Sequence, residues 1–214
     1  MRYDHFIFDL DGTLVDSSAE IHEAAASVCS AKSLEIPSIE YIRRMTGSPP
    51  RIFFLDHGCD ETDVEDLVVD FRAHLASHAG DPECVFPSVV PLLEHLRQLS
   101  IRMSLATTKP TQLASNLLER YGLSSFFSHV QGTDPPLQHK PHPDILLACI
   151  SKFSTGKAVM VGDTVFDVNA AHSAGIDSIA VCSGAHSSEQ LSEVRPNFLL
   201  ASLQGLTDIM DLSS

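Results

Sequence analysis

The stretch Phe6-Ile7-Phe8-Asp9-Leu10-Asp11-Gly12-Thr13 places two carboxylates directly after three consecutive apolar residues. A short apolar run of this kind is typical of a strand buried on both faces of a parallel sheet. Asp9 then lies at the carboxyl end of the strand, the edge where open α/β sheets bind ligands. Gly12 permits the sharp turn that lets both carboxylates face one site. Asp9 suits nucleophilic attack and Asp11 suits proton transfer, although a turn that merely ends a strand has the same pattern.

Short apolar runs alternate with helical patterns again from about residue 88 to residue 210. Strands that alternate with helices predict a doubly wound, Rossmann-like parallel sheet covered on both faces. The predicted strands are 6–8, 101–106, 129–131, 158–161 and 178–181, and the predicted helices are 89–99, 111–121, 143–153 and 165–174.

Residues 17–80 break this alternation and contain no convincing strand. Ser17 and Glu20 have the spacing of a capping box, which predicts a helix running toward Ala31. We therefore expect an α/β core of residues 1–16 and 84–214, interrupted by a helical segment of residues 17–83. The other helices predicted in this segment are 39–45, 52–57 and 63–79.

A second acidic pair, Asp163 and Asp167, follows the apolar run at 158–161. Both carboxylates can point to the side of the sheet on which Asp9 lies. Hard cations prefer carboxylate and carbonyl oxygens, so these acids, with the carbonyl near Asp11, suit Mg²⁺. Manganese or cobalt could replace it in vitro. Simple capping of a helix start explains Asp163 and Asp167 equally well.

Two further polar residues follow predicted strands. Thr107 ends the strand at 101–106, and its hydroxyl with the backbone N–H groups of a helix start could cradle a phosphate. Lys140 lies in His139-Lys140-Pro141-His142-Pro143, where the prolines stiffen the loop. A lysine fixed there can neutralise a phosphoryl oxygen. An ordinary N-cap threonine and an exposed loop lysine are the plainer interpretations.

Taken together, these stretches resemble the four motifs of haloacid dehalogenase-like hydrolases. The matching stretches run from Asp9 to Ser17, from Thr107 to Pro110, from Lys140 to Pro143 and from Gly162 to Asp167. The resemblance covers essentially the whole chain and is greatest to the phosphoglycolate phosphatase group. The helical segment resembles the small α-helical cap of that family.

The resemblance implies a role for each motif residue. Asp9 forms an aspartyl-phosphate, and Asp11 acts first as general acid and then as base for the hydrolytic water. Thr107 and Lys140 hold the phosphoryl group. The implied ligands of Mg²⁺ are Asp9, the Asp11 carbonyl, Asp163 and Asp167. Asp11 also favours phosphoryl chemistry, because the dehalogenase branch of the family lacks this second aspartate.

Substrate choice is expected to come from the helical segment. The Thr46-Gly47 turn matches the substrate-specificity loop of the family. We expect Arg43 or Arg44 to contact the non-phosphate end of the substrate, although two solvated surface arginines remain the alternative. We also expect Thr108 and Gly47 to bind the substrate. Relatives often carry asparagine at the position of Thr108.

Composition limits the possible partners. The 214-residue chain has a formal net charge of −14, which disfavours nucleic acid and anionic membrane surfaces. There is no apolar run long enough to span a bilayer. Five scattered cysteines without a Cys-x-x-Cys pair indicate reduced thiols and a cytoplasmic protein. We expect a small phosphorylated metabolite as partner, and a monomer or homodimer.

The sequence leaves two other functions open. A phosphomutase of the β-phosphoglucomutase type would pass the phosphoryl group from Asp9 to a sugar hydroxyl instead of to water. A non-catalytic binding protein could keep the fold. The physiological substrate stays undetermined, with phosphoglycolate, sugar phosphates, nucleoside monophosphates and pyrophosphate among the candidates.

Overall fold

A six-stranded, all-parallel sheet forms the centre of the molecule. The computed structural model describes residues 3–153 and 156–207, so residues 1–2, 154–155 and 208–214 of the expected core lie outside the described residues. The strand order is β3-β2-β1-β4-β5-β6. The strands are β1 (His5–Phe8), β2 (Arg102–Ala106), β3 (His129–Gln131), β4 (Ala158–Gly162), β5 (Asp177–Val181) and β6 (Phe198–Leu200).

Helices connect the strands and make up the helical segment. Those between the strands are α5 (Val89–Gln98), α6 (Thr111–Arg120), α7 (Asp144–Ser151), α8 (Val165–Ala174) and α9 (Ser188–Glu193). Those of the helical segment are α1 (Ser18–Ala31), α2 (Ile39–Met45), α3 (Pro50–Asp56) and α4 (Val64–His78). None of the helices in residues 3–153 and 156–207 is long and apolar enough to cross a membrane.

The predicted α/β fold is confirmed. β1 is central and every residue in it is buried, which explains its uninterrupted apolar character. Because β1 pairs with β2 on one side and β4 on the other, the strand order reverses beside it. Ligands bind at such reversals in open α/β sheets, so the carboxyl ends of β1 and β4 mark the expected site.

Two elements near the C-terminus were missed. β6 has three residues and α9 has six, too short for hydrophobic periodicity to show. A usable signal did precede α9, because Ser187 and Gln190 form a capping box. The Ser187 side chain accepts from the Gln190 N–H, and the Gln190 side chain accepts from the Ser187 N–H.

The predicted capping box at Ser17 is wrong, although the helix itself is present. The Ser17 side chain caps no backbone N–H of α1, and it donates instead to Asp11. The Glu20 carboxylate accepts the N–H groups of Gly80 and Asp81 at 2.7 and 2.9 Å. Ser17 therefore bonds back to the turn after β1 and Glu20 bonds across to the end of the helical segment, so neither side chain makes the contact that the motif predicts.

The two chain segments that lead into and out of the helical segment lie side by side. Val15 forms an antiparallel bridge with Val85. Nearby, the Asp16 N–H donates to the Cys84 carbonyl at 2.8 Å. One continuous cluster of buried apolar side chains includes residues of the sheet and of the helical segment, so the two parts pack against each other.

Candidate active site

Asp9 lies directly after β1, where the strand order reverses. Its N–H donates to the Val161 carbonyl of β4 at 2.9 Å, which fixes the backbone at this point. Only 3% of Asp9 is exposed. Burial raises the pKa of Asp9 to about 7, with Lys140 opposing the rise and Asp167 and Asp11 adding to it. Asp9 therefore needs more positive charge nearby to be fully ionised at neutral pH.

Lys140 supplies part of that charge. Its ammonium nitrogen lies 2.8 Å from Asp9 Oδ1 and 2.6 Å from Asp167 Oδ1, and it donates to the Ala106 carbonyl at 3.2 Å. Burial alone would lower the pKa of Lys140, but the two carboxylates raise it. The three donors of the ammonium group thus meet three acceptors, which fixes the lysine in place.

Asp163 follows β4 and has no exposed surface. Its Oδ1 accepts from the Thr13 hydroxyl at 2.7 Å, and its Oδ2 accepts from the Ala185 N–H at 2.7 Å. Burial raises the pKa of Asp163 well above its ordinary value, and the carboxylates of Asp167 and Asp9 raise it further. This side chain is held rigidly in an environment that resists its ionisation.

Asp167 has two functions, one for each carboxylate oxygen. Its Oδ2 accepts the N–H of Thr164 at 3.0 Å and the Thr164 hydroxyl at 2.6 Å, which completes a capping box at the start of α8. Its Oδ1 contacts Lys140. Helix capping and participation in the site are therefore compatible at this residue.

The three carboxylates Asp9, Asp163 and Asp167 form a buried group, called here the carboxylate cluster. One oxygen from each lies within 4.8 Å of the others. Lys140 offers a single positive charge to three carboxyl groups, and an all-carboxylate donor set is what Mg²⁺ prefers. Gly12 makes room for the cluster, because a Cβ at this residue (φ +79°) would lie 2.2 Å from Asp163 Oδ2.

Asp11 is held between two donors. The Ser17 hydroxyl donates to its Oδ1, and the Lys109 ammonium group contacts its Oδ2, both at 2.5 Å. No role for Lys109 was predicted from the sequence. Its position in the Thr107-to-Pro110 motif was the available signal, but nothing local indicated that it reaches Asp11.

Thr107 continues β2 by one residue and is fully buried. Its N–H donates to the Gln131 carbonyl at 3.0 Å, and its hydroxyl accepts from the Lys109 N–H at 3.3 Å. The start of α6 is capped within the protein, since the Thr111 N–H donates to Asp134. The predicted phosphate cradle consisted of the Thr107 hydroxyl and backbone N–H groups at the start of α6. Of these groups, the Thr107 hydroxyl lies at the end of β2, beside β1 and therefore beside Asp9.

A pocket opens between the helical segment and the sheet, called here the Asp11 pocket. The open space between its atoms, which includes solvent at the mouth, is about 510 Å³. Asp11, Thr108 and Lys109 line the sheet side, and Gly47 lines the opposite side. Gly47 (φ +85°) also approaches the core closely, because a Cβ there would lie 3.1 Å from Thr164 Cγ2.

The three arginines near this pocket are placed differently. Arg72 of α4, which the sequence analysis did not select, lines the Asp11 pocket. Arg43 lines a neighbouring pocket of about 380 Å³ together with Gly12 and Ser17. Arg44 is exposed and lines neither pocket.

Known proteins share this sequence pattern along most of the chain. A family model of haloacid dehalogenase-like hydrolases matches residues 6–181. A phosphoglycolate phosphatase from Vibrio parahaemolyticus is 30% identical, over 97% of this chain and 96% of that protein. A probable phosphatase, IndB, from Dickeya dadantii is 33% identical, over 91% of this chain and 87% of that protein.

Solved structures share the fold. A haloacid dehalogenase-like family hydrolase from Streptococcus pneumoniae superposes with a TM-score of 0.87 at 26% identity, covering 97% of this chain and 98% of that one. The family match extends from β1 to the last residue of β5 and so includes the ends of β1, β2 and β4, which carry the site. The chain belongs to the haloacid dehalogenase-like hydrolase family.

Proposed function

We propose that this protein is a magnesium-dependent phosphatase that hydrolyses a small phosphomonoester through an aspartyl-phosphate on Asp9. The observation that carries the proposal is the pairing of buried Asp9 with Lys140 at 2.8 Å, beside two further carboxylates within 4.8 Å. The names of the phosphatase relatives support the same reaction class. Phosphoglycolate, which the name of one relative specifies, belongs first on the list of compounds to test.

Asp9, Asp163, Asp167 and the Asp11 carbonyl would hold the metal. Bound Mg²⁺ supplies positive charge that keeps the carboxylate cluster ionised and offsets the charge of the phosphoryl group. Lys140 contributes a fixed positive charge on the other side of Asp9 and directs its carboxylate. Ionised Asp9 can then approach phosphorus without the mutual repulsion that the carboxylates have by themselves.

The reaction takes place in two displacements. A carboxylate oxygen of Asp9 forms a bond to phosphorus while the bond from phosphorus to the ester oxygen breaks, and Asp11 gives its proton to that oxygen, which leaves as the alcohol. Asp11 then takes a proton from water as that water attacks phosphorus, which releases inorganic phosphate and restores Asp9. Ser17 and Lys109 hold Asp11 in one direction for both transfers. Thr107 donates its hydroxyl to a phosphoryl oxygen.

The division of labour follows the two parts of the chain. Residues 1–16 and 84–214 carry the reaction, and residues 17–83 act as a cap over it. Thr108 and Gly47 bound the space next to Asp11 from opposite sides, so both contact the substrate. The sequence predicts that Arg43 or Arg44 contacts its non-phosphate end; Arg43 lines only the neighbouring pocket, and Arg44 lines neither of the two. Opening about the paired backbone at Val15 and Val85 admits the substrate, and closing excludes water.

The test is phosphate release from a panel of phosphomonoesters, with Mg²⁺ and with a chelator. Wild type is compared with Asp9→Asn and with the control Asp70→Asn, an exposed acid on α4. We expect Asp9→Asn to lower turnover by roughly 10⁴-fold, on the scale of losing a covalent nucleophile. Turnover that survives either Asp9→Asn or the chelator would contradict the proposal. Release of phosphate without a sugar bisphosphate distinguishes a phosphatase from a phosphomutase.

A further inference from the structure

In the proposed function, on which this inference rests, Asp11 protonates the departing ester oxygen. The alcohol part of the substrate should therefore lie in the Asp11 pocket. Asp11 and Lys109 line the pocket on the sheet side, and the rest of the lining comes largely from the helical segment. The carbon skeleton attached to that oxygen must therefore lie against the pocket walls, and the chemistry of those walls selects it.

The walls are mostly apolar. They include Ile42, Met45, Phe53, Phe71, Leu75 and Leu113, which come from α2, α3, α4 and α6. The Phe53 and Phe71 rings pack edge to face, with centroids 5.4 Å apart. A polyol entering such a pocket would lose water without gaining enough hydrogen-bonding partners, whereas an apolar skeleton gains by leaving water.

One cation in this pocket, Arg72, has no acidic partner in the part of the chain that the structure describes. Arg72 is half-buried, and within residues 3–153 and 156–207 no carboxylate lies within ion-pair distance of its guanidinium group. Lys109, the other cation of the lining, contacts Asp11 at 2.5 Å. By contrast Arg51, in the same helical segment, contacts both Glu61 and Glu65. In a chain of charge −14, Arg72 is a cation kept available in a cleft.

We propose that the substrate is the phosphate ester of a hydroxy acid with an apolar carbon skeleton. The phosphoryl group lies at Asp9, the skeleton packs against the apolar part of the pocket lining, and the carboxylate pairs with Arg72. A guanidinium group binds a carboxylate through two parallel hydrogen bonds, which fixes both the length and the orientation of the skeleton. Glycolate has the carboxylate but no skeleton to fill the apolar space.

The experiment compares phosphate esters of similar alcohols that differ in skeleton and charge. These are phosphoglycolate, glycerol 3-phosphate, benzyl phosphate, and 3- and 4-carboxybenzyl phosphate. For wild type with Mg²⁺, we expect kcat/KM to be highest for a carboxybenzyl phosphate and lowest for the two esters without an apolar skeleton. The preference for carboxybenzyl over benzyl phosphate should be roughly 10- to 100-fold, the range of one charged hydrogen-bonded contact.

The variant Arg72→Gln should remove that preference by raising KM for the carboxybenzyl ester. Its kcat/KM on benzyl phosphate should fall far less than that on the carboxybenzyl ester, and an unchanged midpoint of urea unfolding would show that the variant is folded. Arg72→Lys should restore part of the preference, because the charge is kept and the paired geometry is lost. The control Arg51→Gln should keep the wild-type preference on both esters, because Arg51 lines neither of the two pockets near Asp11.

The two proposals fail in different ways. If phosphoglycolate is the best ester, or if Arg72→Gln lowers kcat/KM equally for benzyl and carboxybenzyl phosphate, this inference is wrong and the phosphatase stands. If no ester is hydrolysed, or if hydrolysis survives Asp9→Asn, the proposed function is wrong and the inference falls with it.

Discussion

The sheet edge and the helical segment meet at the Asp11 pocket and differ in whether their charged side chains have partners of opposite charge. At the sheet edge, Lys140 contacts Asp9 and Asp167, and Asp163 accepts hydrogen bonds at both oxygens. On the helical side, the lining is largely apolar, and Arg72 has no carboxylate partner within the described residues. At the sheet edge the charged groups already have partners within the protein and lack only the metal ion. On the helical side, Arg72 is available to pair with a charged group of the ligand.

This difference separates reaction from selection. Fixed charges that already have partners need no rearrangement when charge develops on the substrate, so they serve any phosphomonoester alike. An apolar wall with one available cation discriminates between carbon skeletons and does nothing for the phosphoryl group. Substitutions on the two sides should therefore change different kinetic quantities.

The largest expected effect tests this separation directly. Asp11→Asn removes proton transfer at the ester oxygen and should lower kcat by about 10²- to 10⁴-fold. The factor should be similar for every ester of an alkyl alcohol, because Asp11 acts on the oxygen common to all of them. Steady-state rates on phosphoglycolate and benzyl phosphate measure this, with Asp70→Asn as the control. Factors that differ by more than about tenfold between the two esters would show that the sheet edge also selects substrates.

The next effect concerns stability. Lys140→Met leaves Asp9 and Asp167 buried without their cation, and we expect a loss of about 3–5 kcal/mol in the free energy of unfolding. The matched control is Lys157→Met, because Lys157 pairs with Asp177 at 2.8 Å and is itself 53% exposed, a setting worth at most about 1 kcal/mol. Urea unfolding at pH 7.5 in chelator measures both. Equal losses would mean that the charges of the sheet edge are less tightly coupled than their distances indicate.

A third test asks whether the interior of the sheet responds to acid. His5 of β1 is buried, and its Nε2 lies 2.8 Å from the Ser104 hydroxyl of β2. Burial, followed by the charge of Arg102, lowers the pKa of His5 to about 4. Between pH 6.5 and 4 the unfolded chain therefore binds a proton that the folded protein does not, so stability falls as pH falls. The loss reaches about 3 kcal/mol at pH 4.

The variant that isolates this effect is His5→Gln, whose amide can still hydrogen-bond to Ser104. Unfolding free energies from pH 7 to pH 4 should decline less steeply in His5→Gln than in wild type. His172→Gln, which replaces an exposed histidine on α8, should decline in parallel with wild type. Parallel curves for all three proteins would exclude His5 as a source of acid sensitivity.

The sequence was most informative where the fold aligns strand ends. Parallel strands bring their carboxyl ends to one edge, so an acid after each apolar run predicts a shared site without any knowledge of distant contacts. For that reason Asp9 and Asp163 could be placed together from their local patterns, and the structure brings them together. Lys140 follows from the same logic, because its loop comes after β3.

The sequence was least informative where a side chain acts far from its own element. Ser17 and Glu20 have the spacing of a capping box, but Ser17 hydrogen-bonds to Asp11 and Glu20 to the backbone of Gly80 instead. Lys109 reaches Asp11 only because β1 and β2 are neighbours in the sheet. Arg72 is one of several helix arginines, and its place in the pocket depends on how α4 packs. Helix packing of this kind has no short-range signature.

The smallest expected effect concerns how the helical segment is fastened to the core. The Arg120 guanidinium group, at the end of α6, donates to the carbonyls of Ala79 and Ala76 at 2.6 and 2.5 Å. Arg120→Met removes these bonds and keeps the apolar stem that lies beside Gly80. We expect a loss of about 1–2 kcal/mol, concentrated at the end of α4. Hydrogen exchange of the amides at 79–81 should then speed up by roughly 5- to 30-fold.

Arg97→Met gives the comparison that locates this effect. Arg97 lies over the Phe126 ring at 5.0 Å, on α5 and outside the helical segment, so its loss should cost at most about 1 kcal/mol. It should also leave exchange at 79–81 unchanged. Faster exchange there in both variants would mean that the end of α4 reports general loosening of the core. Faster exchange in Arg120→Met alone would place the fastening at α6, because Tyr121 also donates to Glu20, the residue that holds Gly80 and Asp81. The helical segment would then have an anchor at the end of α6, in addition to the paired backbone at Val15 and Val85.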